Sequence, residues 1–186
     1  MKIAINGFGR IGRLVYRLMK EDDFFDVVAI NDLSSSEELA YLLRYDTNHR
    51  TYDKDITFDE EGIIVDGKKT RVYSEMDPSN LPWGELGIDL VFECTGKFTK
   101  KEDANKHILA GAKKVLISAP GKGDMKTVVY NVNDDILTSD DVIVSAASCT
   151  TNCLAPIVKV LDDNFGIERG FMLSLIHISE PTRPLY

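Results

Sequence analysis

The sequence predicts an α/β protein with a doubly wound, mostly parallel sheet, followed by the beginning of a second domain. Three observations carry this prediction. Within the first 32 residues, a strand pattern, a glycine-rich turn, a helical pattern and a second strand pattern follow one another, which is the order of a βαβ unit. Strand-like and helical segments then recur along the chain. The last strand leads into a long helical pattern that we assign to the second domain.

The first unit shows the pattern most clearly. Residues 2–6 form a β-type run, the turn Gly7-Phe8-Gly9-Arg10-Ile11-Gly12 follows at once, and residues 13–20 carry apolar side chains at helical spacing. Residues 26–30 then resemble a second strand that ends at Asn31-Asp32. Two strands joined in this way are parallel, so the unit predicts the start of a Rossmann-type sheet.

Later segments extend this sheet. Further strands are predicted at residues 90–94, 114–117 and 142–144, and helices at 35–44, 101–109 and 150–165. The stretch 51–73 differs, because its apolar residues alternate around Gly62 and Asp66-Gly67. Such alternation around glycine turns is typical of antiparallel hairpins, so we expect an excursion from the parallel sheet there.

Composition argues against several classes of function. The 186-residue chain is 44% hydrophobic and 28% charged, which suits one domain or one and a fraction with a full core. Its formal net charge is −8 and no basic stripe occurs, so we expect no nucleic-acid partner. No apolar run approaches the ~18 residues of a membrane span, and no signal peptide precedes the first strand. We therefore expect no membrane partner and a cytoplasmic location.

The three cysteines indicate reduced thiols. An odd count without paired spacing does not fit a disulfide framework. Oxidation could link Cys149 to Cys153 only with distortion, which we interpret as damage or regulation. Neither a Cys-x-x-Cys pair nor the histidine spacing of a structural site is present, so we expect no metal. Cys94 is expected in the core.

The glycine-rich turn matches the Gly-x-Gly-x-x-Gly pattern of dinucleotide sites. In that setting Gly7 permits a tight turn, Gly9 lets a pyrophosphate approach the backbone, and Gly12 lets helix and strand pack closely. The helix start at Arg10 and Ile11 then faces the phosphate charge. A plain strand-to-helix turn is the alternative, but the flanking strand and helix favour cofactor binding.

Asp32 follows Gly12 by twenty residues, at the end of the second strand. A carboxylate in this place accepts hydrogen bonds from an adenosine ribose and repels a ribose phosphate, so it favours NAD over NADP. The alternative is a solvated loop acid. The turns after later strands, Thr95-Gly96 and residues 118–121, could be walls of the same cofactor site or ordinary turns.

Cys149 stands where a β-branched apolar run meets the start of the last helical pattern. The unpaired amides and positive dipole end of a helix favour thiolate over thiol, so a cysteine there is a candidate nucleophile. A buried cysteine that only packs is the alternative.

Five motifs in one order resemble the glyceraldehyde-3-phosphate dehydrogenase family. They are the glycine turn, Asn31-Asp32, Glu93-Cys94-Thr95-Gly96, Ile117-Ser118-Ala119-Pro120 and Ser148-Cys149-Thr150-Thr151-Asn152-Cys153. The resemblance runs from Met1 to about Met172. It implies an NAD-binding Rossmann domain over 1–149 and the first helix of a truncated catalytic domain over 150–172. The family pattern stops abruptly after that helix, so we expect residues 173–186 to be a foreign or out-of-frame tail.

The resemblance also implies a reaction. Cys149 would attack the aldehyde carbon of glyceraldehyde 3-phosphate, NAD would accept the hydride, and inorganic phosphate would release 1,3-bisphosphoglycerate from the thioester. Ser148 and Thr150 would hold substrate or inorganic phosphate. Besides the three glycines of the turn, Arg10 and Ile11 within it would contact the cofactor, as would Asp32 and Ser118. The full-length parent would be a homotetramer.

Two departures from the family pattern bear on activity. Met76 stands where the family often has an arginine before Asp77-Pro78, near the adenine end of the cofactor. Ile176 stands where the family has its catalytic histidine. His177 is one position late and in an unrelated context, so we do not transfer the role of the base to it.

Two other functions stay open. The parent could be an erythrose-4-phosphate dehydrogenase, which shares the fold and the nucleophile. This chain could also be an NAD-binding module without catalysis, because a general base contributes about 10²- to 10⁴-fold and the expected base is absent. The helix after Cys149 would then expose its apolar face. A structural or nucleic-acid-binding role has no positive sequence feature.

Overall fold

The computed structural model describes residues 1–172, and within that range the chain forms nine strands and five α-helices. The strands are β1 (Lys2–Asn6), β2 (Asp26–Asn31), β3 (Ile56–Asp59), β4 (Gly62–Val65), β5 (Lys68–Tyr73), β6 (Leu90–Glu93), β7 (Lys114–Ile117), β8 (Lys126–Thr127) and β9 (Ile143–Ser145). The helices are α1 (Arg10–Met19), α2 (Ser36–Arg44), α3 (Trp83–Leu86), α4 (Lys101–Leu109) and α5 (Cys149–Phe165). Short 3₁₀ turns cover Pro78–Asn80 and Asp134–Ile136.

The nine strands lie in one sheet with the order β3-β4-β5-β2-β1-β6-β7-β9-β8. Every neighbouring pair from β5 to β8 is parallel, which confirms the predicted doubly wound, mostly parallel sheet. The chain runs from β1 to β2 on one side, and β6 pairs with β1 on the other. Open sheets of this kind bind ligands outside the carboxyl ends of the strands where the order reverses, which here is at β1.

The hairpin segment is antiparallel as predicted, but it does not leave the sheet. Strands β3, β4 and β5 pair antiparallel in sequence order. Strand β5 also pairs parallel with β2, with Arg71 opposite Ala29. The expected excursion is therefore wrong in this respect: the hairpins form one edge of the main sheet. The physical reason is that β2 has backbone groups that need partners on the side away from β1, and β5 supplies them.

Helices cover both faces of the sheet. Along β1, Ile3 and Ile5 join one apolar cluster, to which α1 and α2 contribute. Ala4 joins the opposite cluster, which contains Trp83 from α3 and Ala104 from α4. Successive side chains of a strand point to opposite faces, so the apolar run Ile3-Ala4-Ile5 at the centre of β1 requires this two-sided cover.

Helix α5 contributes nothing to either cluster. None of its residues is buried in the described part of the chain. Several of its large apolar side chains are exposed, namely Leu154, Ile157, Val158, Val160, Leu161 and Phe165. The expected exposure of an apolar face after Cys149 is thus confirmed.

Arg17 ties α1 to the end of α2. Its guanidinium donates to the carbonyl oxygens of Leu43 at 2.5 Å, Arg44 at 3.4 Å, His49 at 3.4 Å and Arg50 at 3.2 Å. The last carbonyls of a helix have no partner within the helix, so Arg17 supplies one. The residue is only 8% exposed, which shields these bonds from water.

We expect Arg17→Lys to lower the free energy of unfolding by about 1–3 kcal/mol, because an ammonium group cannot reproduce the planar fork of donors. Urea unfolding followed by circular dichroism measures the change. Arg50→Lys makes the same replacement on an exposed side chain, and should stay within about 0.5 kcal/mol of the parent chain. Equal losses in the two variants would contradict the role given to Arg17.

Candidate functional site

The glycine turn joins the carboxyl end of β1 to α1. Gly7 has φ +89°, and a Cβ atom there would lie 2.7 Å from the backbone nitrogen of Thr95. A Cβ atom on Gly12 would lie 2.1 Å from the carbonyl oxygen of Gly7. A side chain at Gly7 would therefore collide with the loop after β6, whereas one at Gly12 would push the first turn of α1 away from the end of β1.

Gly9 differs from its two neighbours because a Cβ atom there would meet nothing within 4 Å. It is the N-cap of α1, which starts at Arg10, and no side chain caps this end of the helix. The first turn, which includes Ile11, also contains no acidic residue. The amides of a helix start bind anions when no side chain occupies them, so this space fits a pyrophosphate group.

Asp32 braces the same turn from the next strand. Its Oδ2 accepts a hydrogen bond from the backbone amide of Phe8 at 2.7 Å, and its Oδ1 accepts one from Ser34 at 3.0 Å. The side chain is half-buried. A carboxylate has about four lone-pair sites, so each oxygen keeps capacity for a ribose hydroxyl.

A cavity of about 310 Å³ brings three of the predicted cofactor residues together. Its lining includes Asn6, Gly7, Gly9, Asn31, Asp32, Leu33, Glu75, Met76, Cys94, Thr95, Lys97 and Phe98. The volume is at the lower end of the range for ligand sites, about 300 to 1,000 Å³. Met76, the departure noted above, lies in this wall and is 78% exposed.

Ser118 follows β7 and does not line the cavity. Its backbone amide donates to the carbonyl oxygen of Glu93 at 3.0 Å, next to Cys94, which does line it. Cys94 packs against one of the two apolar clusters, as expected for a core residue. Burial raises the pKa of the Cys94 thiol to about 11.

Cys149 is the first residue of α5, which confirms its predicted place at a helix N-terminus. The side chain is exposed and does not line the cavity of the glycine turn. Just before it, Ala147 is 5% exposed and has φ +62°. Few residues other than glycine adopt this backbone conformation, so the turn that presents Cys149 is held by its surroundings.

Hydroxyl groups flank Cys149 on both sides. The Ser148 Oγ accepts a hydrogen bond from the backbone amide of Thr151 at 3.0 Å and thereby caps α5. The same oxygen lies 2.9 Å from Thr150 Oγ1 and 2.8 Å from Thr151 Oγ1. The structure thus brings Ser148 and Thr150 together beside the thiol. It places them outside the glycine-turn cavity.

Sequence reasoning missed the buried polar side chains at the strand ends beside the cavity. Asn6, Asn31 and Glu93 are the last residues of β1, β2 and β6, and all three are buried. A polar residue directly after the apolar centre of each of three parallel strands was the available signal. These side chains join a hydrogen-bonded network that also includes His107.

The order of these features agrees with known proteins. Residues 1–101 match the family model described as glyceraldehyde 3-phosphate dehydrogenase, NAD binding domain. The chain belongs to the glyceraldehyde-3-phosphate dehydrogenase family. Residues 148–184 match the model of the C-terminal domain of the same family, and this match begins at the cap of α5.

Bacterial relatives agree with this family assignment. A glyceraldehyde-3-phosphate dehydrogenase of Clostridium pasteurianum is 55% identical over 174 residues, which is 94% of this chain and 52% of the relative. The Chlamydia pneumoniae enzyme is 53% identical over 185 residues, 98% of this chain and 55% of the relative. Glyceraldehyde-3-phosphate dehydrogenase 2 of Bacillus subtilis is 54% identical over 176 residues, 94% and 52%. The chain thus spans about half the length of the curated relatives it matches.

Other sequence expectations concern the remaining part of the chain. Ile176, His177 and the tail predicted at 173–186 lie outside the described residues.

Across residues 1–172, no group of three or more His, Cys, Asp or Glu side chains could hold a metal ion. In the same range, no helix has the length and apolar character that crossing a membrane requires.

The three thiols should react with iodoacetamide at different rates. We expect Cys149 to react first because it lies at the helix start, Cys153 more slowly one turn later, and Cys94 last. The thiolate is the reactive form, so a raised pKa means less of it at neutral pH. Alkylation of Cys94 should therefore accelerate by about tenfold per pH unit from pH 7 to 10.

Peptide mass spectrometry at timed intervals measures the three rates. In urea the order should disappear, because the unfolded chain gives the thiols similar surroundings. If Cys94 in the folded chain reacts as fast as Cys153, its burial is incorrectly described.

Proposed function

We propose that this chain is the NAD-binding part and the nucleophile-bearing helix of a phosphorylating, NAD-dependent glyceraldehyde-3-phosphate dehydrogenase. Residues 1–149 would form the cofactor domain, and residues 150–172 would form the first helix of a catalytic domain. The longer protein would be a cytoplasmic homotetramer. The observation that carries the proposal is the open helix start at Gly9, with the carboxylate of Asp32 fixed beside it.

The first half of the proposal concerns the cofactor and assigns protein groups to the parts of NAD that they would contact. The amides of Gly9, Arg10 and Ile11 would bind the pyrophosphate, since this helix end has no side-chain cap. Asp32 would accept hydrogen bonds from the adenosine ribose and repel a ribose phosphate. Ser118 would contact the cofactor from the end of β7. When bound, NAD supplies the hydride acceptor of the reaction.

The substrate half of the proposal rests on α5. The exposed thiol of Cys149 would add to the aldehyde carbon of glyceraldehyde 3-phosphate. The hydroxyls of Ser148 and Thr150, 2.9 Å apart, would donate to oxygens of the substrate or of inorganic phosphate.

A second candidate, an NAD-binding module without turnover, has one observation in its favour. Helix α5 buries none of its residues within the described range, so residues 1–172 place no second element against it as a further wall of a substrate site. A bound aldehyde would then have few groups to orient it, and orientation contributes much of the rate in reactions of this kind.

NAD binding provides the first test. We expect the chain to bind NAD at least tenfold more tightly than NADP, measured by isothermal titration calorimetry. Gly9→Ala should weaken NAD binding by at least about tenfold, because the new methyl group fills the space meant for phosphate. It should leave the unfolding midpoint nearly unchanged, since the methyl group touches no protein atom within 4 Å.

Gly170→Ala is the matched control, because a Cβ atom there also meets nothing within 4 Å, and the residue lies far along the chain from the glycine turn. It should bind NAD like the parent chain. A folded chain that binds no NAD, or a Gly9→Ala variant that binds as well as Gly170→Ala, would overturn the cofactor assignment.

Turnover separates the two candidate functions. The chain is incubated with glyceraldehyde 3-phosphate, inorganic phosphate and NAD while absorbance at the NADH wavelength is followed. NADH formation that requires phosphate and disappears in Cys149→Ser supports the enzyme. Saturable NAD binding without NADH formation supports the binding module.

A further inference from the structure

A chain of hydrogen-bonded, buried side chains runs from the wall of the cavity of about 310 Å³ into the protein behind it. At one end, the backbone amide of Glu75 donates to Asn31 Oδ1 at 2.8 Å. The Asn31 Nδ2 donates to the carbonyl oxygen of Glu75 at 2.9 Å and to Asn6 Oδ1 at 2.7 Å. A backbone amide and carbonyl cannot exchange roles, so the amide of Asn31 has one orientation, and that orientation fixes Asn6.

The other end of the chain is equally directional. The indole nitrogen of Trp83, which can only donate, lies 3.0 Å from His107 Nδ1. His107 must therefore accept at Nδ1 and carry its proton on Nε2, which donates to Glu93 Oε2 at 3.0 Å. All three side chains are fully buried, so no water competes for these bonds.

Four donors of the network converge on the carboxylate of Glu93. Its Oε2 accepts from Asn6 Nδ2 at 2.6 Å as well as from His107. Its Oε1 accepts from the backbone amide of Thr95 at 2.8 Å and from the Thr95 hydroxyl. An ionised carboxylate is the group that offers acceptors on both oxygens and no donor. Four donors offset the cost of burying its charge.

We infer that Glu93 is a positioning residue for the NAD site, because it fixes two of the loops that wall that site. The first branch runs through Asn6 and Asn31 to Glu75, in the loop after β5. Glu75 lines the cavity, whereas Glu93 lies behind it and does not. The inference rests on the proposed NAD-binding function.

The second branch runs through Thr95. The Thr95 Oγ1 that donates to Glu93 also accepts from the backbone amide of Lys97 at 3.0 Å. Both Thr95 and Lys97 line the cavity. The backbone of Thr95 is also the surface against which Gly7 packs. One buried carboxylate thus sets the loops after β5 and β6 and supports the glycine turn.

Glu93→Gln tests the inference with little change of shape. One carboxylate oxygen becomes an NH₂ group, which faces donors whichever way the new amide lies, so one branch must open. Trp83→Phe is the matched control, because it removes a buried donor of the same network at the end farthest from the cavity. Both variants should be less stable than the parent chain, but only Glu93→Gln should disturb the loops.

Two measurements distinguish the variants. Calorimetric titration should show NAD binding at least about tenfold weaker in Glu93→Gln and within about twofold of the parent in Trp83→Phe. Amide hydrogen exchange without NAD should be at least about tenfold faster at Glu75 or Thr95 in Glu93→Gln and unchanged there in Trp83→Phe.

The outcomes separate the two proposals. A folded parent chain that binds no NAD overturns the proposed function, and the exchange rates still decide whether Glu93 positions the loops. Parent-like exchange at both amides in Glu93→Gln, or NAD binding weakened equally in both variants, overturns the inference.

If Glu93→Gln does not fold, the parent chain decides. A ¹⁵N NMR spectrum of the parent chain should show His107 with its proton on Nε2 alone. The chain has three histidines, and the signal of His107 is identified as the one that His107→Gln lacks. A proton on Nδ1 contradicts the directional network and overturns the inference.

Discussion

At Gly12, strand β1 and helix α1 approach each other so closely that one Cβ atom would lie 2.1 Å from the carbonyl oxygen of Gly7. This contact sets the position of the helix start relative to the carboxyl edge of the sheet. Because the helix begins directly at the strand end, its unpaired amides open onto the crevice at the point where the strand order reverses. The fold and the cofactor site therefore depend on the same few atoms.

The two parts of the site are held in different ways. The cofactor part is supported from within, by the carboxylate of Asp32 on the glycine turn and by the network of Glu93 behind the cavity. The part around Cys149 has a cap at Ser148 and a turn at Ala147, but no residue of the helix behind it is buried in the described chain. The first part has its binding geometry built in, whereas the second presents its groups on an unsupported helix.

Much of the fold could be predicted because its signals are local. The strand and helix patterns of β1, β7 and α4 and the glycine turn lie within single short segments, and the structure has these elements at the predicted residues. The place of the hairpins could not be predicted in this way. Nothing within residues 51–73 indicates that β2 has a free edge for β5, because that information lies in another part of the chain.

The same difference between local and distant information applies to the residues of the candidate site. Gly7, Gly9 and Asp32 could be found from spacing, since their chemistry requires fixed distances along the chain. The hydrogen bonds among Glu93, His107 and Trp83 could not, because a polar residue at a strand end or an aromatic residue in a helix does not reveal which residues it contacts. Their meaning comes from the direction of each hydrogen bond, which appears only in three dimensions.

Asp32 has a consequence for redesign of cofactor preference. Its two oxygens accept hydrogen bonds from the amides of Phe8 and Ser34, so the group proposed to select against a ribose phosphate is also part of the scaffold. Replacing it with a small neutral residue removes the repulsion and loosens the turn at the same time. A change of cofactor preference to NADP therefore requires a second substitution, which supplies a new hydrogen-bond acceptor for the amides of the turn.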